Sequence, residues 1–403
     1  MNPLLDFSGL PRFPEIKPEH VTPAVDTLLA ENRALVEKLA ATDACSWDNF
    51  VQPLEDANER LSRAWGQVSH LNAVMNSPAL REVYNENLPK ITAYYADLSQ
   101  NLALFDKFKA LRADPSFEAL SAPRRKIVEN ELRDFRLGGA ELPEDKKARF
   151  KAIQEELSAL SARFEENLLD ATNAFALYVE DESGLSGLPA DALQAAQEAA
   201  RKDGKAGWKF TLHAPSYLPL MQYADSRALR EQVYRAYVTR ASEFGKADWD
   251  NTALIAQILK LRREAARLLG FDNYAEDSLA TKMAQSPRQV LDFLEDLAAR
   301  AKPYAERDFK ELAEFARDEL NLPELKAWDA AYVSEKLRLK RYAFSDNEVK
   351  QYFPETMVLP GMFRVVETLY GLKITPTSTP VWHPAVSFYT IHDRNGEPVG
   401  QFY

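Results

Sequence analysis

The feature that most constrains this chain is a run of apolar residues at helical spacing between residues 143 and 175. The apolar residues recur at steps of three and four, which places them on one face of a helix: Phe150, Ile153, Leu157, Leu160, Phe164 and Leu168. Such a stripe is typical of helices that pack against one another, and no cofactor is needed to explain it. We therefore predict a long helix in an antiparallel array, with Phe150, Leu157 and Phe164 buried.

The same periodicity predicts helices along most of the chain. Glycine is scarce, at 14 of 403 residues against a usual share of roughly 7%, which argues against a turn-rich all-β fold. Thr22 followed by Pro23 predicts the start of the first helix, and Pro89 should kink the third. Further helices are expected over residues 47–74, 78–112, 121–139, 189–201, 226–237, 251–269, 286–320 and 362–370.

Four short segments predict strands instead. They are bounded by Gly, Ser or Pro and span residues 176–180, 208–212, 386–392 and 398–403. The change of texture suggests three parts: an N-terminal helical domain (1–175), a mixed connecting segment (176–220), and the N-terminal part of a further domain (221–403). Because the last predicted strand reaches Tyr403, we expect the chain to end within a hairpin, as a portion of a longer protein.

Composition excludes several classes of function. Fifty Lys and Arg against 61 Asp and Glu give a net charge of −11, which makes a nucleic acid or an anionic membrane a poor partner. Cys45 is the single cysteine, so no intramolecular disulfide and no cysteine-cluster metal site can form. The N-terminus has no signal-peptide pattern, and no apolar run is long enough to span a membrane. We expect a cytoplasmic protein.

The five histidines form no metal-binding pattern. They are His20, His70, His213, His383 and His392. No two are four residues apart and no H-E-x-x-H occurs, so no helix presents a histidine pair to zinc. His383 and His392 could meet across a hairpin, but a third ligand is lacking. His70 is interpreted as a hydrogen-bonded packing residue on a long helix.

Other candidate motifs also fail. The segment Gly184–Leu188 resembles a nucleophile elbow around Ser186, but G-x-S-x-G would need Gly where Leu188 stands, so a loop is predicted. No phosphate-binding glycine motif is present. Cys45 lacks a nearby histidine, and the acidic run 180–182 is interpreted as a solvated loop. Arg262–Glu264 and Arg230–Glu231 are interpreted as ordinary surface ion pairs worth about 0.3–0.5 kcal/mol each.

The order of many short segments resembles the thimet oligopeptidase family of zinc metallopeptidases. The similar segments run through essentially all 403 residues: 16–25, 68–72, 76–78, 168–172, 215–219, 234–241, 269–275, 279–284, 352–354 and 381–384. The resemblance implies a mainly α fold of long antiparallel helices with small β elements, whose two halves flank a deep channel. It also implies zinc on an H-E-x-x-H helix, whose Glu acts as general base on the zinc-bound water during hydrolysis of short unfolded peptides.

The chain departs from that family at the chemistry. The zinc ligands, the catalytic Glu and the downstream groups that would polarise the substrate carbonyl have no counterparts here. No catalytic residue and no metal ligand is therefore assigned, and the substrate-binding residues are unassigned. We expect zinc in the complete enzyme, none bound to this chain, and no peptide hydrolysis by these residues alone.

Three functions remain open from the sequence. The first is a portion of a zinc-dependent oligopeptidase that supplies helical channel wall and takes short peptides. The second is a non-catalytic helical module that binds a peptide or a protein. The third is a dipeptidyl carboxypeptidase of the same family, which the similar segments favour less than an endo-acting oligopeptidase. The sequence gives no indication of the oligomeric state.

Overall fold

The computed structural model of the protein describes residues 2–43 and 45–403. The predicted mainly α fold is confirmed, because this part contains long helices and only small antiparallel sheets. Its α-helices are α1 (Pro18–Ala40), α2 (Gln52–Val74), α3 (Pro78–Ser99), α4 (Leu102–Ala113), α5 (Ala122–Leu137), α6 (Glu144–Ala174), α7 (Ala190–Lys202), α8 (Ala214–Tyr223), α9 (Arg227–Val238), α10 (Thr252–Leu268), α11 (Tyr274–Leu279), α12 (Pro287–Leu320), α13 (Ala330–Tyr342), α14 (Asp346–Lys350) and α15 (Glu355–Tyr370). None of the described helices is long and apolar enough to cross a membrane.

The first helix begins earlier than predicted. α1 starts at Pro18 with Lys17 as its N-cap, and Pro23 lies inside the helix. Pro18 occupies the first helical position, where its missing N–H costs nothing. Both prolines therefore fit one helix, and the expected start at Thr22 was wrong.

The predicted helix over residues 78–112 is two helices. α3 continues through Pro89 and ends at Ser99, and α4 begins at Leu102. The break falls at Asn101, whose side chain accepts a hydrogen bond from the Leu104 backbone N–H at 3.1 Å. This cap restarts the helix, and the sequence interpretation missed it because it weighed the proline alone.

The stripe on α6 is buried only at its N-terminal end. Phe150 and Ile153 lie in an apolar cluster with Leu261 and Ala265 of α10. Leu157 and Phe164 are half-buried, so the prediction of three buried side chains holds for Phe150 alone.

Two small sheets interrupt the helices. β1 (Leu177–Val179) and β2 (Trp208–Phe210) lie within two of the predicted strands and form an antiparallel pair, with Tyr178 opposite Lys209. β4 (Tyr389–His392) and β5 (Pro398–Phe402) form the predicted hairpin. β3 (Lys373–Pro376) pairs with β4 on its other side and was not predicted, because its four residues are too few to show an alternating pattern.

Contacts between Cα atoms divide the chain into two compact units. Unit 1 comprises Met1–Ala162, Ile258–Thr281 and Phe363–Tyr403, and unit 2 comprises Arg163–Gln257 and Lys282–Met362. Both units are discontinuous in sequence, whereas the predicted parts 1–175, 176–220 and 221–403 are consecutive segments. That three-part division stays a prediction.

The core of unit 1 lies where α1 packs against α2 and α3. Leu28 and Leu61 are fully buried there. The Tyr94 hydroxyl donates to Asn58 Oδ1 at 2.7 Å and accepts from Asn32 Nδ2 at 3.3 Å. These bonds satisfy the polar groups that the helix pairing buries.

The core of unit 2 lies around α8, α9 and the β1–β2 pair. Leu220 of α8 and Val233 of α9 are fully buried. α9 begins as predicted, because Ser226 Oγ accepts a hydrogen bond from the Leu229 backbone N–H at 3.3 Å. A separate, smaller cluster joins the C-terminal end of α12 to α13.

Candidate functional site

Two of the histidines accept hydrogen bonds from nearby backbone N–H groups. His20 Nδ1 accepts a hydrogen bond from the Lys17 backbone N–H at 3.1 Å at the start of α1. His383 Nδ1 accepts one from the Ala385 backbone N–H at 3.2 Å. Nowhere in residues 2–43 and 45–403 do three His, Cys, Asp or Glu side chains come together in a way that could hold a metal ion. The described residues therefore do not fit a zinc site, and no catalytic step is derived through one.

His70 lies in an aromatic cluster of unit 1. Its ring centroid is 5.4 Å from that of Phe13 and 4.3 Å from that of Trp382. Tyr403 contacts both of these rings, at 5.6 and 5.1 Å. The predicted packing role agrees with these contacts. The expected hydrogen bond is not seen, since Nε2 is buried without a partner among the described residues.

The segment that resembles a nucleophile elbow is a tight structural turn. Ser186 Oγ donates to Asp225 Oδ2 at 2.8 Å, and the Asp225 backbone N–H donates to the Ser186 carbonyl at 2.8 Å. Gly187 has a φ of +88°, and a Cβ there would collide with the Tyr223 carbonyl. Ser186 thus anchors the turn, and its position next to a carboxylate without a histidine supplies no nucleophile.

Arg230 is not the surface ion-pair former that its sequence suggested. It is 1% exposed and pairs with the fully buried Asp329, with Nη2 2.9 Å from Oδ1. Arg227 donates to the same carboxylate at 2.6 Å. The interpretation failed because Asp329 lies 99 residues away along the chain, a separation that no local pattern reveals.

Glu264 forms an exposed pair of the expected kind, although not with its sequence neighbours. Arg149 Nε and Nη2 donate to its two carboxylate oxygens at 2.6 and 2.7 Å. Arg262 lies instead over the ring of Tyr274, 4.9 Å from the ring centroid. A pair this exposed contributes little to stability, because water screens the two charges.

The strongest candidate for a binding site is a cavity of about 670 Å³ within unit 1. Helices α2, α3, α5 and α6 supply its walls, with Phe135 and Phe150 among the apolar residues. Besides Asp134, which pairs with Arg133, two carboxylates face it, Glu55 from α2 and Glu131 from α5. Neither carboxylate is neutralised by a hydrogen bond or ion pair within the described part of the chain. The volume suits a small organic ligand.

Burial raises the proton affinity of both carboxylates. Burial raises the pKa of Glu131 to about 7, and the charge of Glu55 adds to that effect. Burial also raises the pKa of Glu55. The pair can hold a proton near neutral pH or attract a cation. Sequence reasoning missed it because acidic residues occur throughout the chain and nothing marks these two as neighbours.

Two stretches of the chain match known families. Residues 220–403 match peptidase family M3. Residues 25–147 match the N-terminal domain of neurolysin and thimet oligopeptidase. The first match contains the buried Arg230–Asp329 pair, and the second contains both carboxylates of the unit 1 cavity.

Curated relatives align with the whole chain. Oligopeptidase A of Haemophilus influenzae is 44% identical over 405 residues, and oligopeptidase A of Salmonella typhimurium is 46% identical over 406 residues. Dipeptidyl carboxypeptidase of Salmonella typhimurium is 30% identical over 410 residues. Each alignment covers 100% of this chain and 60% of the relative. The chain thus spans about three fifths of the length of the relatives it matches.

Proposed function

Because the chain belongs to peptidase family M3, we propose that it is a portion of a zinc-dependent oligopeptidase that hydrolyses short unfolded peptides. In this proposal the chain supplies helical wall to the substrate channel. The zinc ligands and the catalytic base lie in further sequence, after the region that aligns here. The described residues alone are inactive and bind no zinc. The enzyme works in the cytoplasm, in keeping with a single cysteine.

One observation carries the choice of an oligopeptidase. Identity is 44–46% to relatives named oligopeptidase A, against 30% to one named dipeptidyl carboxypeptidase, over similar lengths. The higher identity favours the endo-acting oligopeptidase, although both kinds of enzyme align with the same residues of this chain. A dipeptidyl carboxypeptidase is the alternative within the family.

The unit 1 cavity favours a second candidate function. A non-catalytic helical module could bind the amino group of a peptide between Glu55 and Glu131. The two functions differ in whether a peptide is cleaved or only held, so one assay separates them.

The test compares two proteins in a quenched-fluorescent peptide assay, with added zinc and with chelator. The first is this chain alone. The second is this chain joined after Tyr403 to the part of Haemophilus influenzae oligopeptidase A that has no counterpart in it. The intact Haemophilus enzyme is the positive control.

We expect chelator-sensitive cleavage by the joined protein and by the control, and none by the chain alone. Without a metal-activated water, hydrolysis lacks both its nucleophile and its Lewis acid. Chelator-sensitive turnover by the chain alone would contradict the inactive portion. A folded joined protein that binds the peptide without cleaving it would favour the binding module.

A further inference from the structure

The helix α12 carries an apolar face that nothing in the described chain covers. Every residue from 291 to 310 is exposed. Six large apolar side chains on these turns lie within one half of the helix circumference: Leu291, Phe293, Leu294, Leu297, Tyr304 and Phe309. We call this surface the α12 apolar face. Phe293 is 67% exposed and Leu294 is 50% exposed.

The same face is buried where α12 ends. Leu312 and Phe315 continue the stripe, since they lie 18 residues, or five full turns, beyond Leu294 and Leu297. There they pack with Ala316 against Tyr332 and Val333 of α13. The stripe therefore has the composition of a packing surface along its whole length. Within the described chain, only its C-terminal end packs against another helix.

The opposite face of α12 needs no partner. Arg300 pairs with Asp296 at 2.9 Å, and Lys302 pairs with Glu306 at 3.7 Å, each one helical turn apart. Between residues 287 and 310, five basic and five acidic side chains cancel in charge. On these turns of α12, only the apolar face exposes side chains that interact unfavourably with water.

The size of the face points to an interface. Its six side chains expose on the order of 600 Å² of mostly apolar surface, at the upper end of the largest patch on a typical monomer, roughly 300–600 Å². An isolated helix is also only marginally stable in water, because most helical stability comes from packing an apolar face.

We infer that the α12 apolar face binds the polypeptide that makes up the remaining two fifths of the oligopeptidase A relatives. This inference rests on the proposed function. All of this chain aligns with those relatives, yet 60% of their length is accounted for. The unaligned polypeptide is long enough to supply a complementary apolar surface, and the described chain leaves this surface free to receive it.

Other occupants fit less well. A membrane-surface helix carries an excess of Lys and Arg on its polar face, whereas α12 is neutral over residues 287–310 and the chain carries a charge of −11. A second copy of the chain would bury only this one patch, which is smaller than the usual ~800 Å² per partner of a stable interface.

The test measures solvent access to the face directly. Leu294→Cys and Lys310→Cys, in a Cys45→Ser background, place a thiol on the apolar face and on the opposite face of α12, because Lys310 lies 16 residues, or about 160° around the helix, from Leu294. Each variant is prepared as this chain alone and as the joined protein described above. Maleimide labelling is quantified on the peptide that carries the new thiol. Both substitutions are at exposed positions, so the fold is retained.

We expect Leu294→Cys to label rapidly in the chain alone and at least tenfold more slowly in the joined protein. Lys310→Cys should label equally in both. Equal labelling at position 294 would overturn the inference, as would concentration-dependent protection in the chain alone, which indicates a second copy. Peptide cleavage by the joined protein is measured separately, so an inactive protein with a protected face refutes only the proposed function.

Discussion

The helices of the N-terminal array and α12 all carry an apolar stripe at helical spacing. The stripe is buried in the N-terminal array and largely exposed on α12. In unit 1, Leu28 of α1 and Leu61 of α2 are fully buried against each other's helices. In unit 2, Leu294 and Leu297 lie on the apolar face of α12, a helix that is more amphipathic than α1 or α2, and they are half exposed. Periodicity therefore shows that a face requires cover, and it does not show which polypeptide provides it.

The contrast also separates the helices whose apolar faces this chain buries from the helix whose apolar face it leaves exposed. The α1–α3 array pairs several of its polar groups between its own helices, as the Tyr94–Asn58–Asn32 bonds show. α12 satisfies its polar face internally and leaves its apolar face in water. Substitutions on the two sides of this division should differ sharply in cost.

The largest effect is expected at the buried ion pair that joins α9 to the start of α13 in unit 2. Burial alone would raise the pKa of Asp329, but hydrogen bonds from Arg227 and Arg230 outweigh burial and hold it below its usual value. Asp329→Ala would leave Arg230 charged and buried, which should cost about 3–5 kcal/mol in the free energy of unfolding. Chemical denaturation of unit 2 measures the cost.

The matched control is Asp318→Ala on α12. Asp318 pairs with Arg317, and both side chains are more than half exposed. Losing that pair should cost far less than losing the buried one, because water screens both charges. Equal costs for the two variants would show that the Arg230–Asp329 pair is as open to water as the exposed Arg317–Asp318 pair.

The next effect concerns the N-terminal array. Leu61→Ala should destabilise unit 1 by about 2–5 kcal/mol, because the surrounding helices can only partly close the cavity that it leaves. A shift in the denaturation midpoint, followed by a probe in unit 1, measures it. An unmoved midpoint would mean that the α1–α2 contact is not part of the cooperative core.

A smaller, pH-dependent effect is expected at Glu131. Its folded pKa of about 7 exceeds the ordinary value of 4.5, so the folded state binds the proton more tightly than the unfolded state. Stability contributed by this proton is present below pH 4.5 and is lost as the pH rises through 7. Glu131→Gln should therefore stabilise the chain by about 1–3 kcal/mol at pH 8.

The same substitution should have little effect at pH 4.5, where Glu131 is already protonated. The charged neighbours that set this behaviour are Glu55, Asp134 and Arg133. Thermal unfolding at the two pH values gives the measurement. Glu129→Gln on the same helix α5 is the control and should give the same small change at both. A stabilisation that does not depend on pH would rule out the carboxylate pair as its cause.

The sequence predicted most helices and four of the five described strands because local signals fix them. Ser226 caps α9 as expected, and Gly138 ends α5. The predicted start of α1 was wrong because Pro18 and Pro23 could each occupy the first position of a helix, and the sequence alone does not show which one does. The Glu55–Glu131 cavity and the Arg230–Asp329 pair were not predicted, for a different reason. Each brings together residues that are far apart in sequence, and a single sequence does not show such contacts.

The site could be predicted only as far as the family resemblance reached. That resemblance identified the peptidase family, and the matched relatives support it. It assigned no residue of this chain to catalysis or to a metal. The exposed face of α12 escaped notice because a helical stripe in a sequence looks the same whether or not its partner is present.

The smallest effect is expected on the α12 apolar face itself. Leu297→Ala should change the stability of this chain by less than about 0.5 kcal/mol, because the side chain is half exposed and leaves no closed cavity behind. Alanine also favours the helix slightly more than leucine. In the protein joined to the remaining part of the Haemophilus relative, the same substitution should cost about 2–5 kcal/mol, the value of a buried leucine. Denaturation of both proteins, each with and without the substitution, gives the comparison. A large cost in the chain alone would place Leu297 in the core of unit 2, and α12 would then belong with α1 and α2 as a helix that this chain completes by itself.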